Sequence, residues 1–238
     1  MKNFKTYLVE AGGQAAGKLE IVKTPLEKAK EYAIPLFEKF GRNLYEEIPN
    51  FDENYLYAQK MAKLGKTKRK DMPVLTDDDV DQLETRLKNG MIDINKPFAK
   101  NMKTKDPYPQ GLSGKEAEKW LEKGLEIYDG ANKDDKIKVT REKVRVGDLK
   151  PIQQQIYFAK SIDGIAQFGA KGSKDFMKST NFIASGDNNI IDGHHRWLAS
   201  LLLDPNMKVN VMKLHLPIKK LLPVSLAYSD AIGNSRNA

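Results

Sequence analysis

Apolar positions in the first half of the chain recur at helical spacing, in runs opened by capping residues and closed by glycine. Thr24, Pro25 and Glu27 read as a capping box with proline at the first helical position. The helix they open is expected to kink near Pro35 and to stop at Gly41, after Phe40. A second helix starts at Asn50, with Glu53 three residues on. It carries Phe51, Tyr55, Leu56, Met61 and Leu64 and ends at Gly65. A third runs from a Thr76 cap through Asp77, Asp78 and Asp79, acids that suit a helix N-terminus, to Lys88 and Gly90. A fourth starts at Ser113, with Glu116 completing a capping box, and carries Trp120, Leu121, Leu125 and Tyr128 toward Gly130. Residues 24–130 therefore read as helical, with basic loops broken by proline and glycine at 65–73 and 100–111.

The periodicity changes after the polar run 132–135. Residues 137–146 alternate with strand character, and residues 152–169 read as a helix. Phe182 to Ala184 and Ile190 to Ile191 read as short strands around the turn Ser185-Gly186-Asp187-Asn188. A helix from His195 to Leu203, a strand at 209–216 and a last helix through Leu221, Leu222, Val224 and Leu226 follow. The expected class is α+β, an N-terminal helical region followed by a C-terminal small mixed sheet with flanking helices. The expected segments are 1–20, 21–135 and 136–238.

Composition narrows the chemistry. The chain has 238 residues, 40% of them hydrophobic and 30% charged, enough for one sizeable core or two small ones, and no apolar run approaches the roughly 18 residues a membrane span needs. Cysteine is absent, which excludes disulfides, zinc-thiolate sites and cysteine nucleophiles. The net charge of +8 suits a polyanionic partner, and equally a solvated lysine-rich face. Lys66, Lys68, Arg69 and Lys70 form the densest basic cluster, a candidate grip on nucleic-acid phosphates or simply a solvated loop.

The stretch IIDGHHRWLA, residues 190–199, holds two of the three histidines at a strand-to-helix turn. The first N–H groups of a helix carry partial positive charge, and glycine lets an oxyanion approach the backbone. Arginine adds a donor fork, and histidine adds donors that titrate near neutrality. Asp192, Gly193, His194, His195 and Arg196 are thus candidates for a phosphate site. Adjacent histidines point about 100° apart on a helix, so one of them can equally be a hydrogen-bonded core residue, and the pair is poorly spaced for a shared metal. Trp197 and Leu198 read as core anchors, and His215 as a structural residue on an alternating strand.

The turn Gly193-His194-His195-Arg196, followed by Trp197-Leu198-Ala199, resembles the G-x-x-R element of the ParB and sulfiredoxin superfamily. The upstream VRVGDLKPIQQQIYFAKSI, residues 144–162, resembles that family's opening: an edge strand, a Lys150-Pro151 turn, a glutamine-rich box and a helix. The resemblance covers roughly residues 136–226 and implies a ParB/sulfiredoxin-like domain that binds nucleotide phosphates. Gly193, His194, His195 and Arg196 would contact the phosphates, while Lys150, Pro151 and Gln153 to Gln155 would border the nucleotide. A nucleoside triphosphate, ATP or CTP, with Mg is the implied ligand. Sulfiredoxins have their catalytic cysteine where this chain has His194, which excludes their reaction. D-G-H-H-R is similar to the version in free-serine kinases of this fold, which implies a catalytic role for Asp192; glutamines occupy the segment that supplies a glutamate base there. Phage proteins with this domain are described as ParB-like nucleases, so catalysis by Asp192, His194, His195 and Arg196 extends to phosphohydrolase, phosphotransferase or nuclease action.

MKNFKTYLVEAGGQAAGKLE, residues 1–20, resembles the capsid-targeting leader of internal head proteins of large tailed phages, with Leu8-Val9-Glu10/Ala11 matching the site cut by the prohead protease. It implies trimming after Glu10, packaging with DNA in the capsid interior and ejection into the host cytoplasm. The bland alternative is a frayed terminus. Expected partners are a nucleotide, DNA, a host protein and that protease, with no membrane. The competing functions are a nucleotide-dependent enzyme, a non-catalytic module that binds DNA or inhibits a host protein, and a scaffold or packing protein of the head.

Overall fold

The computed structural model describes residues 19–92, 94 and 136–234. The leader, with Glu10 and Ala11, the loop at 100–111 and the helix expected from Ser113 lie outside them. The fold is α+β, with a small mixed four-stranded sheet flanked by helices. Its strands are β1 (Val139–Arg145), β2 (Asn181–Ser185), β3 (Ile190–Asp192) and β4 (Lys208–Leu214), in the order β1-β4-β2-β3. The helices are α1 (Leu26–Lys39), α2 (Leu44–Glu47), α3 (Phe51–Ala62), α4 (Asp77–Asn89), α5 (Phe158–Ser179), α6 (His194–Leu203) and α7 (Ile218–Ala231).

The described residues divide into two compact units, each assembled from separate stretches of chain. The first takes the described residues up to Lys66, with Lys143–Phe182 and Gly193–Val211; the second takes those from Thr67 to Glu142, with Ile183–Asp192 and those from Met212.

In the first unit, α1 turns Ala29, Ala33 and Phe37 inward at four-residue spacing, and α3 buries Phe51, Asn54, Tyr55, Ala58 and Ala62, a stripe that winds once around the core side. Phe51, Tyr55 and Phe158 of α5 meet edge to face or tilted, at centroid distances from 5.2 to 6.2 Å. Each such buried ring contributes about 2–3 kcal/mol relative to exposure. Two buried polar side chains are paired to backbone carbonyls. The Asn54 amide donates to the Leu202 carbonyl at 2.8 Å, and the Tyr55 hydroxyl donates to the Thr24 carbonyl at 2.7 Å. Asp163 of α5 accepts from the Tyr32 hydroxyl at 2.7 Å; burial pushes its carboxyl up, against the pull of that bond.

Several local expectations change. The Thr24 box does not form: the Thr24 hydroxyl donates back to the Glu20 carbonyl at 2.8 Å, and α1 opens after Pro25 without a side-chain cap. The helix continues through Pro35 to Lys39, and Gly41 follows with φ 67°. Asn50 likewise makes no cap for α3. Asn43 instead caps the single turn α2, accepting from the N–H groups of Tyr45 and Glu46. The Thr76 box does form, with Asp79 as its reciprocal partner, and Gly90 ends α4 with φ 70°.

The largest correction concerns 152–169. Residues 152–157 are not helical, and α5 begins only at Phe158 and then runs to Ser179, beyond the expected end. It is broken at Gly169 (φ 74°, ψ 166°), where an added Cβ would meet the Arg42 guanidinium at 2.6 Å. Glu47 bridges this break, accepting from Arg42 at 2.7 Å and from the Ala170 N–H at 2.6 Å. Burial works against the Glu47 charge, and these two donors still hold its carboxyl below the ordinary range.

The second unit buries Leu83, Leu87, Ile190, Met212, Leu221 and Leu226, and polar contacts add to this core. Arg141 reaches Glu84 and Asp81 on α4, and Ser229 and Asn234 both donate to the Val74 carbonyl at 2.8 Å. The hairpin of β2 and β3 is antiparallel, pairing Ile183 with Asp192 and Ala184 with Ile190. Its turn is shaped by Asp187, whose carboxylate accepts from the Ser185 hydroxyl and from the Ile218 N–H, and by Asn188 at φ 63°. His215 has its Nε2 2.9 Å from the Thr140 hydroxyl, a structural contact.

Candidate functional site

Asp192 ends β3 half-buried and is followed by Gly193, whose φ of 102° is a conformation side chains rarely adopt. The Gly193 carbonyl accepts the Trp197 N–H at 2.8 Å and so opens α6, whose Trp197, Leu198, Ala199, Leu201 and Leu202 are fully buried. A Cβ at Gly193 would lie 2.9 Å from the Phe182 ring and 3.3 Å from Arg196. The open side of this glycine is therefore filled by packing. Arg196 lies over the Phe182 ring at 5.2 Å and donates to the Asn181 carbonyl at 3.1 Å.

The two histidines grip one segment at two points. His194 is 4% exposed, and its Nε2 accepts the N–H groups of Ile152 at 3.2 Å and Gln153 at 3.3 Å. An accepting Nε2 is unprotonated, so the imidazole is neutral with its proton on Nδ1. Burial pushes its pKa down to about 3. His195 accepts the Tyr157 N–H at 3.2 Å through its own Nε2, and the two rings stack at 6.0 Å. This arrangement explains why residues 152–157 do not join α5. The Tyr157 N–H and the Ile152 carbonyl, which a helix from 152 would pair within itself, are held by the His195 ring and the Lys66 N–H, and the Gln153 amide turns back onto the Gln155 carbonyl. His194 is a structural acceptor here, with no free basic nitrogen for proton transfer at Nε2.

The other face of the same segment is fixed by the end of α3. The Lys66 N–H donates to the Ile152 carbonyl at 2.8 Å, and at Gly65 a Cβ would sit 2.2 Å from the Gln153 carbonyl oxygen. Residues 19–21 join the other end, through the bridge of Glu20 with Tyr157, the Ile21 N–H on the Ile156 carbonyl at 3.0 Å and the Phe158 N–H on the Leu19 carbonyl at 2.7 Å. Between these strips lies a cleft of about 390 Å³, bordered by Glu20, Lys23, Lys63, Lys66, Gln154 and Gln155.

The structure brings His194, His195, Gln153 and Gln155 together, with Lys66 on the far side of the glutamine segment. Arg196 points instead to β2. Lys150 is exposed and Pro151 buried. Lys68, Arg69 and Lys70 belong to the second unit; Lys68 and Lys70 are exposed, and Arg69 opens the short 3-10 turn Arg69–Asp71. Lys23 and Lys63 are additions that sequence reasoning missed, because only the tertiary fold carries them to the glutamines. Among the described residues, no group of three or more His, Asp or Glu is placed to hold a metal ion, and no helix is long and apolar enough to cross a membrane. Comparison with family models, curated proteins and solved structures finds no match for this chain.

Proposed function

We propose that the chain is a nucleotide-binding protein of the ParB/sulfiredoxin type, packaged in a phage head and acting on phosphates as a phosphohydrolase, phosphotransferase or nuclease. The observation that carries the reading is the strand–glycine–helix turn at Gly193, whose His194 and His195 fasten a glutamine-rich segment beside it, the association the family resemblance implies. The fit to a nucleoside triphosphate with Mg is partial. The α6 N-terminus supplies dipole and N–H groups, and Asp192 is the local carboxylate for a magnesium-bound phosphate. Arg196 would have to leave Asn181 and Phe182 to reach it. Mg would neutralise phosphate charge; this chain's part is to orient the ligand and to supply the Arg196 fork. Calorimetric titration of the chain starting at Ala11 with ATP, CTP and GTP plus Mg should show selective binding that Arg196→Ala abolishes. Absence of heat at millimolar nucleotide, together with no nuclease activity in Mg or Mn, overturns the reading.

A second reading, a non-catalytic DNA-binding module, is favoured by the exposed Lys68 and Lys70 beside Arg69. It predicts duplex affinity that falls steeply with salt, by a slope of about 0.9 per phosphate contacted, and that drops when all three residues are reversed to glutamate. Affinity insensitive to both changes removes it.

A further inference from the structure

The charge and the shape needed for a phosphorylated ligand come together away from the turn. The cleft of about 390 Å³ falls within the usual size of small-ligand sites, and it is lined by Lys23, Lys63 and Lys66 together with Glu20. Lys23 is paired with Glu20 at 2.9 Å with its side chain 75% exposed, so exchanging that partner for a phosphate costs little. Lys66 donates through its Nζ to the Lys63 carbonyl at 3.3 Å, and both residues line the cleft. Gln154 and Gln155 line it too, and the Gln154 carboxamide offers both donors and an acceptor to the neutral part of a ligand.

We infer that this cleft is a second phosphate site, beyond the α6 turn, that takes the phosphates of a mononucleotide-sized ligand on Lys23, Lys63 and Lys66, and that His194 is the positioning residue for its glutamine wall. The inference rests on the reading that the chain binds a phosphorylated small molecule, and it adds a contact on side chains from the N-terminal helical region. His194 acts through the backbone. By accepting from Ile152 and Gln153 it sets the path of the residues that lead to Gln154 and Gln155, while Gly65 and Lys66 press on the same backbone from the other side.

The test is calorimetric titration of the full chain with ATP and with inorganic pyrophosphate, using Lys63→Glu/Lys66→Glu, the control Lys171→Glu/Lys178→Glu, Arg196→Ala, His194→Gln and His194→Asn. Both lysines are exposed, so the double variant should fold. It is expected to lose about tenfold or more in affinity for both probes, while Lys171→Glu/Lys178→Glu, the same charge change on exposed lysines of α5 that do not line the cleft, stays within about twofold. His194→Gln extends an amide oxygen to the place of Nε2 and should keep binding; the shorter His194→Asn cannot and should weaken ATP more than pyrophosphate, because the glutamines face the neutral part of the ligand. Binding that survives the double lysine variant but is lost in Arg196→Ala overturns the cleft and leaves the turn reading standing. No heat from the wild type overturns both. Duplex DNA that binds the wild type and not the double lysine variant, without any nucleotide binding, makes the cleft a nucleic-acid surface and overturns the small-ligand assignment. Equal binding by the Gln and Asn variants removes His194 from the positioning role.

Discussion

Replacing His194 by glutamine should flatten the acid limb of the protein's stability profile. The imidazole is neutral and buried in the folded chain, with its pKa pushed down to about 3, whereas in the unfolded chain it titrates near the ordinary 6.5. A depressed folded-state pKa means that the unfolded chain binds the proton first. The stability contributed by burying a neutral His194 is therefore complete above about pH 6.5 and is lost progressively as pH falls toward 3. At about 1.4 kcal/mol per pH unit, the wild type should lose about 3 kcal/mol between pH 7 and pH 4 through this group alone. The glutamine variant keeps an acceptor for the Ile152 and Gln153 N–H groups but has nothing to protonate. Asp79, Glu84 and Asp187 are held below the usual carboxylate range, burial opposing and hydrogen bonds prevailing, so they destabilise both proteins alike at the acid end. Urea unfolding at a series of pH values measures the difference between the two curves. Parallel curves from pH 7 to 4.5 would show that His194 is not buried as a neutral acceptor.

Gly65→Ala should be among the most damaging single-methyl additions in the described chain. Its Cβ would stand 2.2 Å from the Gln153 carbonyl oxygen and 2.7 Å from the carbonyl carbon, and backbone on both sides must move. Overpacking of this kind costs about 3 kcal/mol, equivalent to a fall in Tm of about 10 °C for a chain of this length. Gly41→Ala is the natural control. It has positive φ (67°) but nothing within 4 Å of the added methyl, so only local strain of about 1 kcal/mol applies. Thermal melts of the two variants should differ clearly, and Gly65→Ala should also weaken any ligand held between Lys66 and the glutamines. A Gly65→Ala protein as stable as Gly41→Ala would mean that the end of α3 does not press on residues 152–154.

Legibility in sequence followed the range of the interaction. The Thr76 box and the Gly90 stop were readable because every participant lies within a few residues: Thr76, Asp79 and the backbone between them close the motif locally. Thr24-Pro25-Glu27 has the same grammar and fails, because its threonine hydroxyl is claimed by Glu20, a residue itself anchored to Tyr157 far along the chain. The same competition misled the reading of 152–169. Its apolar spacing suits a helix, yet His195 takes the Tyr157 N–H and Lys66 the Ile152 carbonyl, groups a helix would pair internally, so the helix starts only at Phe158.

The chain by itself determined the α+β class, the strand–Gly193–helix turn, the αL glycines at helix ends and the concentration of chemistry-bearing side chains at 192–196, since all of these follow from periodicity and local backbone preference. Only the tertiary structure decided the direction of each of those side chains: His194 inward to the glutamine segment, His195 against Tyr157, Arg196 over Phe182. It alone carried Lys23 and Lys63 to Gln154 and Gln155. The physical reason is that hydrogen-bond partners about 40 positions apart, and cleft borders about 90 to 130 apart, leave no trace in a pattern whose period is two or four residues.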